Sequence, residues 1–117
     1  MDLTWSTYEA HGAPVLALAG GLCEDTVLSV EPEVARLLAG DRPALVIDLS
    51  EVAACDSAGL SMLDACDRAS TVAGVELRFA APREPIFQAM HGRGLTSRLR
   101  VFGSLDGASR GDPLDRR

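Results

Sequence analysis

The amino-acid sequence predicts one small α/β domain in which a mixed central β-sheet of four to five strands carries helices packed against it. Three observations predict it. Ala44 to Leu49 (ALVIDL) is continuously apolar, as a strand covered on both faces must be. Segments with apolar residues every three or four positions alternate with such strands, and parallel neighbours need crossovers of that kind. Near the N-terminus, two short strand-like stretches flank His11-Gly12, the pattern of a hairpin. At 117 residues the chain is long enough for one core.

The elements follow in order. Trp5 to Glu9 and Pro14 to Ala19 form the hairpin, and Gly20-Gly21 is expected to end its second strand. Val30, Val34, Leu37 and Leu38 mark one face of a helix that Gly40 stops. Pro32 is comfortable only in a first turn, so the regular helix is expected to begin near Ser29 rather than Thr26. The ALVIDL strand comes next, then a loop, then a helix from about Ala58 to Ala73. That helix is expected to bury Leu60, Leu63, Cys66 or Ala65, and Ala69, to turn Asp64, Asp67 and Arg68 to water, and to stop at Gly74. Val75 to Ala80 reads as a strand, Pro85 to His91 as a short helix, Leu99 to Phe102 as an edge strand and Leu105 to Ala108 as a helical turn. Residues 1–108 are expected to form the domain and 109–117 a flexible tail.

Composition narrows the function. Eleven basic residues against seventeen acidic give a net charge of -6, which repels phosphate backbones and anionic lipid surfaces; no direct nucleic-acid partner is expected. Three cysteines, Cys23, Cys55 and Cys66, contain no C-x-x-C pair and make a poor disulfide framework. The N-terminus has neither a basic nor an apolar leader region, and no apolar stretch approaches the roughly 20 residues of a membrane span. A cytoplasmic location is expected.

The chemistry-bearing stretch is Val46 to Leu63 (VIDLSEVAACDSAGLSML), an apolar strand that breaks at Cys55-Asp56-Ser57-Ala58-Gly59 and resumes with helical spacing. Either Asp56 or Ser57 can cap the helix. A cap needs one such residue, and Ser57 stands where a strand turns into a helix, a rigid frame that presents a side chain at the surface. A phosphate there is tolerated by the fold, because a helix N-terminus favours negative charge. Competing chemistries fit less well. The nucleophile pattern G-x-S-x-G is absent, since Cys55 occupies the place of its first glycine. The only candidate bases are His11 and His91. The cysteines and histidines offer no close pair of metal ligands, Asp64 and Asp67 read as solvation of a helix face, and Arg110-Gly111-Asp112 reads as chance. No catalytic residue, metal or cofactor is assigned, and no enzyme activity is expected.

An apolar strand ending Asp48-Leu49-Ser50, followed by Val52 and then Asp56-Ser57-Ala58-Gly59-Leu60, resembles the signature of STAS domains, particularly the anti-sigma factor antagonists. Gly20-Gly21-Leu22, Gly94-Leu95 and Ser104-Leu105-Asp106-Gly107-Ala108 are weaker matches. The resemblance implies that Ser57 is the phosphoacceptor for an anti-sigma factor that is also a serine kinase. The unphosphorylated antagonist binds that partner and frees a sigma factor, the phosphorylated form does not bind, and a phosphatase resets the cycle. It implies that Asp56, Ala58 and Gly59 shape the turn, and that Cys23, Glu24 and Asp25 contribute to the partner-facing surface. Many members carry an acidic residue where this chain has Cys23, and Ser or Thr where it has Ala58; the second difference leaves Ser57 as the only hydroxyl in the turn. The alternative within the family is a binding module without a switch, such as a stressosome component or a soluble transporter-associated subunit.

Overall fold

The computed structural model describes residues 2–117. Five strands form one sheet in the order β1-β2-β3-β4-β5. The strands are β1 (Leu3–Ala10), β2 (Ala13–Leu22), β3 (Ala44–Cys55), β4 (Glu76–Ala80) and β5 (Arg100–Phe102). β1 and β2 are antiparallel, and the other neighbours are parallel. The helices are α1 (Val27–Leu38), α2 (Ser57–Ala73), α3 (Glu84–Gly92) and α4 (Leu105–Arg110), with short 3-10 turns at Leu95–Ser97 and Pro113–Asp115. The hairpin closes through His11 and Gly12, both at positive φ, the geometry whose twist matches the flanking strands.

Strand alternation divides the core in two. Leu16, Leu18, Ile47, Leu49, Leu77 and Phe79 face the side covered by α1, α2 and α3 and make a large aliphatic cluster with Val30, Val34, Leu60, Leu63 and Met90. Val15, Val46, Ala80 and Phe102 face the other side, where Ala108 of α4 completes a smaller cluster.

Several boundaries differ from the sequence expectation. β2 does not end at Gly20-Gly21 but runs through to Leu22. Gly20, at φ +109, sits against the Asp2 carbonyl, where a Cβ would lie 2.1 Å from the oxygen. β3 continues past Leu49 to Cys55. Its register with β2 slips between Ala17 and Ala19 and again between Gly20 and Gly21, each time with an extra residue on β3, and such bulges bend a strand and increase its twist. Asp48, buried at the first slip, accepts a hydrogen bond from the Ser50 N–H at 3.0 Å. α1 starts at Val27, so Pro32 lies inside it. The proline and Leu28, whose carbonyl loses its N–H partner, are both exposed residues, a placement in which the lost bond costs less than it would in the core. In α2, Ala65 and Ala69 are exposed while Met62 and Ser70 are buried.

Residues 109–117 do not trail free. Gly103 donates to the Asp115 carbonyl at 2.8 Å and Arg117 N–H to that of Val101 at 2.8 Å. Arg116 bridges Phe102. Ser104 donates through N–H and Oγ to the Asp115 carboxylate at 2.9 and 2.8 Å. Gly107 makes room for it, since a Cβ there would lie 1.9 Å from an Asp115 oxygen. The closing segment thereby covers the edge of β5.

Candidate functional site

The turn from β3 into α2 lies at the carboxyl end of the parallel strands, the edge at which open α/β sheets place their sites. Leu22 and Cys55 are register partners there, so the start of α2 and the loop after β2 emerge side by side. The Asp56 N–H donates to the Leu22 carbonyl at 3.1 Å. Gly59 permits this approach: a Cβ at that position would lie 2.2 Å from the Leu22 oxygen and 2.7 Å from Cys55 Sγ. The glycine is required by backbone contact, which any side chain would open.

Asp56 is the N-cap. One carboxylate oxygen accepts from the Gly59 N–H at 3.0 Å, the other from the Glu24 N–H at 3.1 Å. Those backbone donors, Gly59 first and Glu24 next, hold its carboxyl below the usual aspartate value, because they stabilise the ionised form. The β2–α1 loop is braced in turn by buried Thr26. Its hydroxyl donates to the Gly21 carbonyl at 2.7 Å and accepts from the Cys23 N–H at 2.9 Å.

Ser57 is the first residue of α2 and is exposed. Its hydroxyl enters no hydrogen bond among the described residues, so Asp56 alone caps the helix. The Ser57 carbonyl accepts from Arg93 Nη1 at 3.3 Å. Ala58 is half-buried, Gly59 buried.

The structure thus brings together Asp56, Ser57, Ala58, Gly59 and the Glu24 backbone. Cys23 is half-buried, and Glu24 and Asp25 are exposed in the adjoining loop. The Cys55 thiol is pushed up to about 12, chiefly by burial and then by the Asp56 charge, and burial pushes the Cys66 thiol up to about 11. Raised that far, both thiols are protonated at neutral pH and are poor nucleophiles. Among the described residues no group of three or more His, Cys, Asp or Glu is placed to hold a metal ion, and no helix is long and apolar enough to cross a membrane. Thr26 and Arg93 have no recognisable local pattern; one is revealed by its burial and the other by a contact between residues 36 positions apart.

The chain is similar to known proteins over most of its length. A family model described as "Mlab, STAS domain" matches residues 6–106. The chain is 32% identical over 121 residues to the anti-sigma-F factor antagonist RsfB of Mycobacterium tuberculosis, covering 98% of this chain and 96% of that protein. Among solved structures it is similar to an anti-sigma factor antagonist from Mycobacterium paratuberculosis, with a TM-score of 0.78 and 26% identity over 94% of this chain and 93% of that one. The unphosphorylated form of the anti-sigma factor antagonist SpoIIAA shares the fold at a TM-score of 0.69, with 13% identity over 84% of this chain and 87% of that one. With a family model spanning residues 6–106, a five-stranded mixed sheet and an Asp-Ser-Ala-Gly turn at the mouth of α2, this chain belongs to the STAS domain family.

Proposed function

We propose that this chain is an anti-sigma factor antagonist: it binds an anti-sigma factor that is also a serine kinase, frees a sigma factor, and is switched off by phosphorylation of Ser57. A phosphatase acting on phospho-Ser57 restores binding. The observation that carries the reading is the division of labour in the turn. Asp56 does all the capping, while the neighbouring Ser57 hydroxyl is exposed and unengaged. The full-length likeness to RsfB supports the same partner class.

Ser57, Ala58 and the Glu24-Asp25 loop form the docking surface, and the chain acts there by binding rather than catalysis. Unpaired thiols and the net charge of -6 suit a cytoplasmic protein that contacts protein rather than nucleic acid. Phosphorylation adds about -1.5 to -2 charges at pH 7, beside the ionised Asp56.

Phosphosite mapping by mass spectrometry, on protein recovered from its own host under several growth conditions, tests the reading. Phosphate on Ser57 that varies with condition and disappears in Ser57→Ala is expected. A Ser57 that is never modified would point instead to a STAS module without a switch.

A further inference from the structure

All eleven basic residues of this acidic chain are arginines. Nine of them reach a carboxylate oxygen at 3.7 Å or less. A tenth, Arg116, lies over the Phe102 ring, 5.4 Å from its centroid. Arg93 alone has neither kind of partner among the described residues. In a protein with seventeen acidic side chains, an exposed guanidinium without a carboxylate is the exception. Its one hydrogen bond goes to the carbonyl of Ser57, at 3.3 Å.

Arg93 ends α3, immediately before Gly94 at φ +73. Together with Leu60, Ser61 and Leu95 it lines a shallow hollow along α2. Arg98, on the same hollow, is engaged by Asp64 at 2.7 Å. Two backbone donors beside the serine are already engaged, because Asp56 takes the N–H groups of Gly59 and Glu24.

We propose that Arg93 is the intramolecular receiver of the phosphate on Ser57. The proposal rests on Ser57 being the phosphoacceptor. When the phosphate forms, the guanidinium leaves the weak carbonyl contact for phosphate oxygens on the same residue, a charge-assisted and bidentate bond. Two consequences follow. The phosphate is fixed across the first turn of α2 instead of sweeping through solvent. Arg93 also favours its dianionic form: Asp56, Glu24 and Asp25 raise its second pKa, and Arg93 lowers it. Asp64 and Arg98 largely cancel one another, and the protonated Cys55 contributes no charge. Arg93 is therefore a positioning residue of the switch.

The experiment is a phosphorus-31 pH titration of full-length protein carrying phosphoserine at position 57, prepared also with Arg93→Gln and Arg93→Lys. Arg93→Gln is expected to raise the second pKa of the phosphate by about half a unit to one unit, the effect of removing a nearby cation at an exposed site. Arg93→Lys, which keeps the charge and loses the fork, is expected to fall between. In the unsubstituted phosphoprotein, the Arg93 Nε–H resonance is expected to shift with the same midpoint as the phosphate. Identical second pKa values in the unsubstituted phosphoprotein and in its Arg93→Gln variant, or an Nε–H signal indifferent to the phosphate titration, would overturn the assignment. Failure of the switch reading looks different: the phosphoprotein would bind its anti-sigma partner as tightly as the unmodified chain, whatever the phosphorus spectrum shows.

Discussion

The carboxylate of Asp56 joins two separate segments, accepting the Glu24 N–H at 3.1 Å with one oxygen and the Gly59 N–H at 3.0 Å with the other. The side chain that caps α2 is therefore also the one that fixes the β2–α1 loop beside the acceptor serine. Asp56→Ala is expected to lower the melting midpoint by about 5 °C, the scale of a lost cap in a small domain. It should also speed amide exchange at both Glu24 and Gly59. Unchanged exchange at Glu24 would show that the loop is placed without Asp56.

The same carboxylate sets a pH dependence. Its folded pKa is depressed below the ordinary 3.8, first by Gly59 and then by Glu24, so its contribution to stability is complete above the unfolded value and is lost as pH falls through the folded one. Carbon-13 titration of the Asp56 carboxyl should give a midpoint below 3.8, with exchange at Glu24 accelerating over the same range. A midpoint at or above 3.8 would contradict the two hydrogen bonds.

Gly59 and Gly74, at opposite ends of α2, respond differently to a methyl group. At Gly59 the new Cβ would meet the Leu22 carbonyl at 2.2 Å, whereas at Gly74, with φ +75, nothing lies within 4 Å. Gly59→Ala must push α2 off the sheet and is expected to cost about 3 kcal/mol. Gly74→Ala carries only left-handed backbone strain of about 1 kcal/mol. Denaturant unfolding of the two variants orders them; equal losses would mean that the close approach at Gly59 relaxes freely.

The thiols provide a separate check. With Cys55 up to about 12 and Cys66 up to about 11, native protein at pH 8 should alkylate at both positions at least about a hundredfold more slowly than denaturant-unfolded protein. Labelling of Cys55 at the unfolded rate would show that the turn opens to solvent, and of Cys66 that α2 parts from α1.

The legible part of the fold is the part written in hydrophobic period. The ALVIDL strand, the apolar face of α1, the Leu60, Leu63 and Cys66 positions of α2 and the Gly74 stop follow from spacing and residue type, while Met62 and Ser70 rather than Ala69 complete the α2 face. The boundaries that moved depend on tertiary partners. Gly20-Gly21 suggests a break, yet β2 continues because the Asp2 carbonyl packs against Gly20. Ser50 to Cys55 suggests a loop, yet β3 continues with Val52 buried between exposed Glu51 and Ala53. Pro32 suggests a later helix start, yet it and Leu28, the residue whose carbonyl it orphans, both lie on the exposed side of α1. At the site, Asp56 and Ser57 are visible in the sequence, but their roles are interchangeable there. Only the Gly59 and Glu24 hydrogen bonds separate them. Arg93, 36 residues away, has no sequence signal.

The central claim is that one phosphate on Ser57 decides partner binding, and the most direct measurement is a titration of the purified anti-sigma factor kinase with four forms of this chain. Unmodified protein and Ser57→Ala are expected to bind equally tightly, Ser57→Asp more weakly, and the phosphoserine form about a hundredfold to a thousandfold more weakly, the equivalent of several kcal/mol of repulsion and desolvation. Equal affinity across all four would contradict the switch.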